Sequence, residues 1–68
     1  MKQYRIHIEI DFEAAQHFNI DSIFITDIFS KNRETAIHKA FMLLPKKIRS
    51  VNNVTVGIYN PESLQFVY

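Results

Sequence analysis

The sequence predicts an α+β fold: a four-stranded antiparallel sheet with one helix packed on one face, in the order strand, strand, helix, strand, strand (ββαββ). Residues 4–12 alternate between apolar and polar types, and residues 54–68 hold two further alternating runs around an Asn-Pro turn. Between these regions, apolar residues recur at helical spacing after Asn32. At 68 residues, the chain is predicted to form a single α+β domain over residues 1–68.

The first strand is predicted over residues 4–12, because only an extended chain sends alternate residues to two faces. Residues 13–21 are interpreted as a loop, although residues 14–17 could form a short helical turn. Residues 22–29 are nearly all β-branched or aromatic and predict a second strand that is apolar on both sides. Either Phe24 with Ile28 or Ile23 with Ile25 would then lie on the face away from the helix.

The helix is predicted to begin at Asn32, a good N-cap, with Ser30 as the alternative cap. Its core-facing stripe is predicted to comprise Ala36, Ile37, Ala40, Phe41, Leu43 and Leu44, while His38, Lys39 and Met42 face away. Because Pro45 disfavours helical geometry in the residue before it, the helix is expected to stop at Leu44. At most one further turn is expected over residues 46–49.

One helix can cover only one face of such a sheet. The residues expected beneath it are Ile6, Ile8, Ile10, Val54, Val56, Ile58, Leu64 and Phe66. The uncovered face is expected to carry Arg5, His7, Glu9, Asp11, Tyr59 and Val67, of which Arg5, His7, Tyr59 and Val67 form a candidate partner-binding surface. Contiguous exposed apolar side chains mark interfaces, although isolated ones are common on any protein.

Charge is distributed unevenly along the chain, although its formal net value is only +1. The acidic residues Glu9, Asp11, Glu13, Asp21 and Asp27 precede residue 30 and form a second candidate partner-binding surface, an acidic strand face. Basic residues follow, and Lys39, Lys46, Lys47 and Arg49 are the candidates for an alternative contact with nucleic acid. Because the net charge is close to zero, a nucleic-acid partner is the less favoured of the two.

The sequence predicts neither an enzyme nor a metal or cofactor site. His7, His17 and His38 share no metal-ligand spacing, and no pair of side chains is arranged as nucleophile and base. The chain has no cysteine, and its single glycine excludes a glycine-rich phosphate loop. It also lacks the continuous apolar segment of a signal peptide or a membrane span, so we expect a cytoplasmic protein with no membrane partner.

The segment from residue 24 to residue 41, FITDIFSKNRETAIHKAF, resembles a strand, cap and alanine-containing helix of many small phage or mobile-element accessory proteins, anti-CRISPR inhibitors among them. The resemblance implies a free-standing inhibitor that occupies a surface of a larger host protein or nucleoprotein complex. Our leading hypothesis is therefore a non-catalytic inhibitor or accessory protein that blocks a host protein surface or nucleic-acid channel, its acidic strand face imitating phosphates. The alternatives are a small nucleic-acid-binding module and a structural homodimer whose sheets pack face to face around Tyr59 and Val67.

Overall fold

The computed structural model describes residues 1–46, 48 and 51–68 and places helices on one face of a four-stranded antiparallel sheet. The elements are β1 (Lys2–Ile10), α1 (Phe12–His17), β2 (Ile23–Ser30), α2 (Arg33–Met42), β3 (Val51–Asn60) and β4 (Gln65–Val67). The strand order in the sheet is β2-β1-β3-β4. The predicted α+β class and the antiparallel sheet are confirmed.

The prediction of a single helix is wrong, because α1 occupies residues for which the sequence predicts a loop. The carboxylate of Asp11 caps this helix by accepting a hydrogen bond from the backbone N–H of Ala14 at 3.2 Å. Ala15 is buried in the core, and Asn19 turns the chain toward β2 with a left-handed φ of 56°. The element order is therefore strand, helix, strand, helix, strand, strand.

The second helix, α2, begins as predicted. Oδ1 of Asn32 accepts a hydrogen bond from the backbone N–H of Thr35 at 2.9 Å, so Asn32 and not Ser30 is the cap. The last helical residue is Met42, two residues earlier than expected, and the further turn predicted over residues 46–49 includes residues outside those described.

The core-facing stripe of α2 is narrower than the sequence predicts. Ala36, Ala40 and Leu44 are buried and Ile37 is half-buried, but Phe41 and Leu43 are exposed. The two alanines allow the helix to lie close to the sheet. Phe41 and Leu43 lie at the surface because an apolar residue beside the stripe need not be buried: apolar atoms supply much of any protein's surface.

The centre of the core is β1, whose even-numbered residues Tyr4, Ile6, Ile8 and Ile10 are all buried. In the register of the sheet, Ile8 lies between Phe24 of β2 and Val54 of β3. Phe24 and Ile28 therefore share the helix-covered face, and Ile23 with Ile25 occupy the other face. This outcome resolves the alternative that the apolar pattern of β2 left open.

The faces assigned to β4 are wrong. Tyr59 pairs with Phe66 and Ile58 pairs with Val67, so Phe66 lies on the uncovered face and Val67 on the helix side. The turn spans four residues and pairs Asn60 with Gln65. Even-numbered residues of β3 therefore share a face with odd-numbered residues of β4, the reverse of the predicted faces. Leu64 ends this turn in a left-handed conformation with φ 57° and is exposed rather than buried beneath the helix.

Candidate functional site

The sheet face opposite the helices, here called the open face, carries both charged and large apolar side chains. It comprises Arg5, His7 and Glu9 of β1, Ile23, Ile25, Asp27 and Phe29 of β2, Thr55 and Tyr59 of β3, and Phe66 of β4, with Tyr68 resting on it just beyond β4. The fractional exposure of Ile23, Ile25, Phe29 and Tyr68 lies between 54% and 60%. These side chains therefore lie largely in solvent, although isoleucine and aromatic side chains are usually buried in a protein core.

Arg5 lies near the middle of the open face and is held from two sides. Its Nε and Nη2 atoms donate hydrogen bonds to the two carboxylate oxygens of Asp27, at 2.8 and 3.0 Å. On the other side, the guanidinium carbon lies 4.0 Å from the centre of the Phe66 ring. Phe66 in turn meets the edge of Tyr59 at a ring-centre distance of 5.3 Å.

The ion pair between Arg5 and Asp27 changes the acid–base properties of both groups. The hydrogen bonds from Arg5 hold the pKa of the Asp27 carboxyl below its ordinary value, against an opposing effect of partial desolvation. The same hydrogen bonds raise the pKa of the Arg5 guanidinium. Asp27 is therefore a charged, hydrogen-bonded structural acceptor at neutral pH rather than a free general base.

A second polar contact lies beside this pair. Nε2 of His7 and the hydroxyl oxygen of Tyr68 are 2.7 Å apart and share a hydrogen bond, with the two rings in an edge-to-face arrangement. The Tyr68 ring fits here because Gly57 has no side chain: a Cβ atom at residue 57 would lie 2.8 Å from the ring. We call Arg5, His7, Asp27, Phe66 and Tyr68 the central cluster.

An open depression with a volume of about 470 Å³ borders the central cluster. Its lining residues are Arg5, His7, Ile25, Thr26, Asp27 and Tyr68. Polar groups with fixed partners therefore lie beside exposed apolar surface. This combination suits the anchoring of a partner side chain, since the polar groups already have hydrogen-bond partners and the apolar surface can be buried.

The structure brings some of the predicted site residues together on this face. Arg5, His7 and Tyr59 lie on the open face as expected. Val67 does not, since it faces the helix side, and Phe66 takes the position expected for it. The roles of these residues in binding a partner stay predictions.

The five acidic residues do not form the continuous acidic strand face that the sequence suggested. Glu9 and Asp27 are both on the open face, but the paired residues His7 and Ile25 lie between them. Glu9 is two residues beyond His7 on β1, and Asp27 is two residues beyond Ile25 on β2, in the opposite direction. Asp27 is paired with Arg5, and Asp11 is the α1 cap rather than an open-face residue. Glu13 is exposed in the first turn of α1, and Asp21 is exposed before β2.

The basic residues proposed to contact nucleic acid are on or after α2. Nζ of Lys39 donates a hydrogen bond to the carbonyl oxygen of Phe29 at 3.3 Å. Lys46 borders a smaller cavity of about 260 Å³ beside His38, Phe41 and Met42. Lys47 and Arg49 lie outside the described residues.

The sequence reasoning missed Phe66, Tyr68 and Gly57 as parts of the site. Only Gly57 gave a usable signal, because a glycine inside a predicted strand commonly marks a close approach by another group. The position of Phe66 depends on the turn length, and that of Tyr68 depends on Gly57 across the sheet. Neither follows from the alternation of β4 itself.

Among the residues that the structure describes, no three histidine, aspartate or glutamate side chains are grouped closely enough to hold a metal ion. No helix in the same part of the chain combines the length and the apolar character needed to cross a membrane.

Comparison with known proteins adds no relative to this description: no family model, curated protein or solved structure matches the chain. The fold and the open face define a small two-layer α+β domain with an uncovered, aromatic-rich sheet surface.

Proposed function

We propose that this chain is a non-catalytic protein-binding domain, of the inhibitor or accessory class, that docks on a larger protein through its open face. The observation that carries the proposal is the central cluster. It holds Arg5, Phe66 and Tyr68 in fixed positions beside exposed apolar side chains. Residues of these types dominate the binding energy of protein interfaces when they are packed and pre-organised.

The charge of the open face favours a protein over a nucleic acid. Arg5 is the one lysine or arginine among the described residues assigned to this face, and Asp27 balances its charge. Glu9 adds a negative charge on the same face. A nucleic-acid-binding face instead gains its affinity from unpaired cations that neutralise phosphates.

The contacts within the central cluster favour binding over catalysis. A general base must be available to accept a proton, but the Asp27 carboxylate is already hydrogen-bonded through both oxygens. The depression beside it is open to solvent, so it lacks the dry environment that strengthens catalytic electrostatics. The same features suit a pre-arranged contact surface.

An inhibitor that blocks a basic channel is one form of this proposal, and a phage or mobile element is its proposed source. Glu9 supports that form, since it is exposed on the open face and could meet a cation of the partner. Asp11 and Asp27 support it less, because each carboxylate already has a partner in the chain. We therefore place the open face as a whole, rather than an acidic strip, at the contact.

The experiment is affinity capture from a host lysate with the immobilised chain and with two matched alanine variants. Tyr68→Ala removes an exposed aromatic group from the open face, and Met42→Ala removes an exposed apolar group from α2. We expect Tyr68→Ala to weaken capture of a defined protein by about tenfold or more, a hot-spot effect. Met42→Ala should leave capture unchanged, and both variants should unfold in the same range of urea as the wild type.

Nuclease treatment of the lysate completes the test. Capture that survives nuclease and depends on Tyr68 supports the proposal. If nuclease treatment abolishes capture, the result would instead favour the alternative of a small nucleic-acid-binding module that uses Lys39, Lys46, Lys47 and Arg49. Capture that depends on Met42 and is indifferent to Tyr68 would contradict docking through the open face.

A further inference from the structure

The outer edge of β2 presents unpaired backbone groups to solvent. In the part of the chain that the structure describes, β2 pairs with β1 alone and ends the sheet on that side. The N–H of Ile10 donates to the carbonyl oxygen of Ser22 at 2.7 Å, so even-numbered residues of the two segments face each other through hydrogen bonds. By the alternation of antiparallel ladders, the odd-numbered residues of β2 direct their N–H and C=O groups outward.

A second contact agrees with this assignment. The carbonyl oxygen of Phe29, an odd-numbered residue, accepts a hydrogen bond from Nζ of Lys39 in α2 rather than from β1. The outward-facing set is therefore Ile23, Ile25, Asp27 and Phe29. A carbonyl oxygen has two lone pairs, so the contact with Lys39 leaves the Phe29 carbonyl able to accept a second hydrogen bond.

The β2 edge has few of the features by which proteins prevent strands from pairing between molecules. Its sequence, IFITDIFS, spans eight residues without proline, glycine or lysine, and its register with β1 has no bulge. Its single charge, on Asp27, is paired with Arg5. The opposite edge strand, β4, spans only three residues and follows a turn containing Pro61. One edge of the sheet is thus protected by its shortness, and the other is not.

We infer that β2 pairs antiparallel with β2 of a second copy of this chain, joining two four-stranded sheets into one of eight strands about a two-fold axis at Thr26. This register aligns residues 23–29 of both copies and is the one that matches all four outward-facing residues of each copy with outward-facing residues of the other. Ile23 then lies opposite Phe29 of the second copy, and Ile25 lies opposite Asp27 of the second copy. The exposed side chains of Ile23 and Phe29 in each copy thereby gain an apolar neighbour across the interface between the two β2 strands.

Charge favours this register over its neighbour. An axis at Asp27 would set the two Asp27 carboxylates directly opposite each other, which destabilises a strand pair. With the axis at Thr26, each Asp27 keeps its hydrogen bonds to Arg5 of its own chain. The four outward-facing residues of each copy form about eight backbone hydrogen bonds across the axis.

A second copy fits the edge better than it fits the open face. Packing two open faces together would remove water from Arg5, His7, Asp27 and Glu9, and burying charged groups is costly even when they are paired. Edge pairing leaves these groups in water and leaves the open face free for another partner. The inference is therefore independent of the proposed function.

Single-cysteine cross-linking tests the inference directly, since the wild-type chain contains no cysteine. In the proposed dimer, Thr26 faces its own counterpart in a non-hydrogen-bonded pair, with Cα atoms about 4.5 Å apart, within disulfide range. Thr26→Cys should therefore form a disulfide-linked dimer in high yield under mild oxidation. The matched variant Thr55→Cys, on the open face of β3, should remain largely monomeric.

The possible results separate the modes of association. Cross-linking of Thr26→Cys but not Thr55→Cys, together with a light-scattering mass of the wild type that rises toward twice 8.0 kDa with concentration, supports edge pairing. Cross-linking of Thr55→Cys alone would overturn it in favour of face-to-face packing. A wild-type mass that stays at the monomer value throughout the concentration series would also overturn it.

A second pair of variants separates the contribution of the backbone hydrogen bonds to dimerisation from that of the Ile25 side chain. Ile25→Ala keeps the outward N–H of residue 25, and Ile25→Pro removes it without breaking a hydrogen bond to β1. We expect the proline variant to dimerise about tenfold or more weakly than the alanine variant, because it loses a hydrogen bond on each side of the axis. Circular dichroism should show that both variants keep the fold. Equal dimerisation of the two folded variants would overturn the inference.

Discussion

The two faces of the sheet use similar side chains for different purposes. On the covered face, Ile6 and Ile8 are fully buried beneath the helices, whereas Ile23 and Ile25 on the open face are more than half exposed. The buried side chains of the covered face are apolar except for that of Ser30, but the open face combines its apolar groups with charged and hydrogen-bonded ones. The same residue type thus contributes mainly to stability on one face and is available for contact on the other.

The largest expected effect of this difference is on stability. Ile8→Ala should cost about 2–5 kcal/mol, comparable to the roughly 3–5 kcal/mol that the core of so small a domain supplies, so the variant should be largely unfolded. Ile25→Ala removes the same atoms from the open face and should change the free energy of unfolding by no more than about 0.5 kcal/mol. Urea unfolding followed by circular dichroism measures both. Equal losses would contradict the assigned faces.

Ser30 is the polar exception in the core. It is the last residue of β2 and is fully buried, and its hydroxyl finds no hydrogen-bond partner among the described residues. Ser30→Ala should raise the free energy of unfolding by about 1 kcal/mol, because an unpaired buried hydroxyl is costly. Ser63→Ala, at an exposed turn residue, is the control and should have little effect. Destabilisation by Ser30→Ala would show that the hydroxyl has a partner.

Gly57 links the packing of the sheet to the open face. In Gly57→Ala the new methyl group would come within 2.8 Å of the Tyr68 ring, which lies at the end of a flexible side chain and can move away. We expect the free energy of unfolding to change by no more than about 1 kcal/mol. The hydrogen bond between His7 and Tyr68 should be lost, which the nuclear magnetic resonance signals of the His7 ring would report. Unchanged signals would contradict the assigned position of Tyr68.

The smallest expected effect is the loss of stability at low pH when Asp27 is protonated. Because the hydrogen bonds from Arg5 hold the pKa of the Asp27 carboxyl below its ordinary value in the folded chain, the ion pair stabilises the fold fully when the pH is above that ordinary value. This stabilisation should be lost as the pH falls through the lowered pKa. The effect should be small, since both side chains are more than a third exposed and solvent screens them. Urea midpoints of the wild type and Asp27→Asn should differ at neutral pH and converge in acid. A difference that persists in strong acid would assign another role to Asp27.

The sequence predicted the parts of the fold that depend on local pattern. The Asn32 cap of α2 is confirmed, and so is the alternation of β1 from Tyr4 to Ile10. The strand ends two residues before the predicted Phe12, because Asp11 and Phe12 begin α1. The helix α1 was missed because its six residues are too few to show an apolar stripe, although Asp11 offered a capping signal. Its burial depends on Ala15 meeting the core, a tertiary contact.

The open face was predicted less completely than the core. Arg5, His7 and Tyr59 followed from the alternation of their strands, but the contacts among them depend on register. The pairing of Arg5 with Asp27 requires β2 and β1 to meet at one alignment out of several. The faces of β4 depend on the length of its turn, which alternation alone does not reveal.

The central claim is that a partner contacts the open face, and oxidative footprinting of the captured complex tests it most directly. Tyr68 on the open face and Met42 on α2 are both well exposed in the free chain and react readily with hydroxyl radicals. We expect the partner to protect Tyr68 strongly, together with Tyr59 and Phe66, while Met42 reacts as it does in the free chain. Protection of Met42 with no protection of Tyr68 would contradict it.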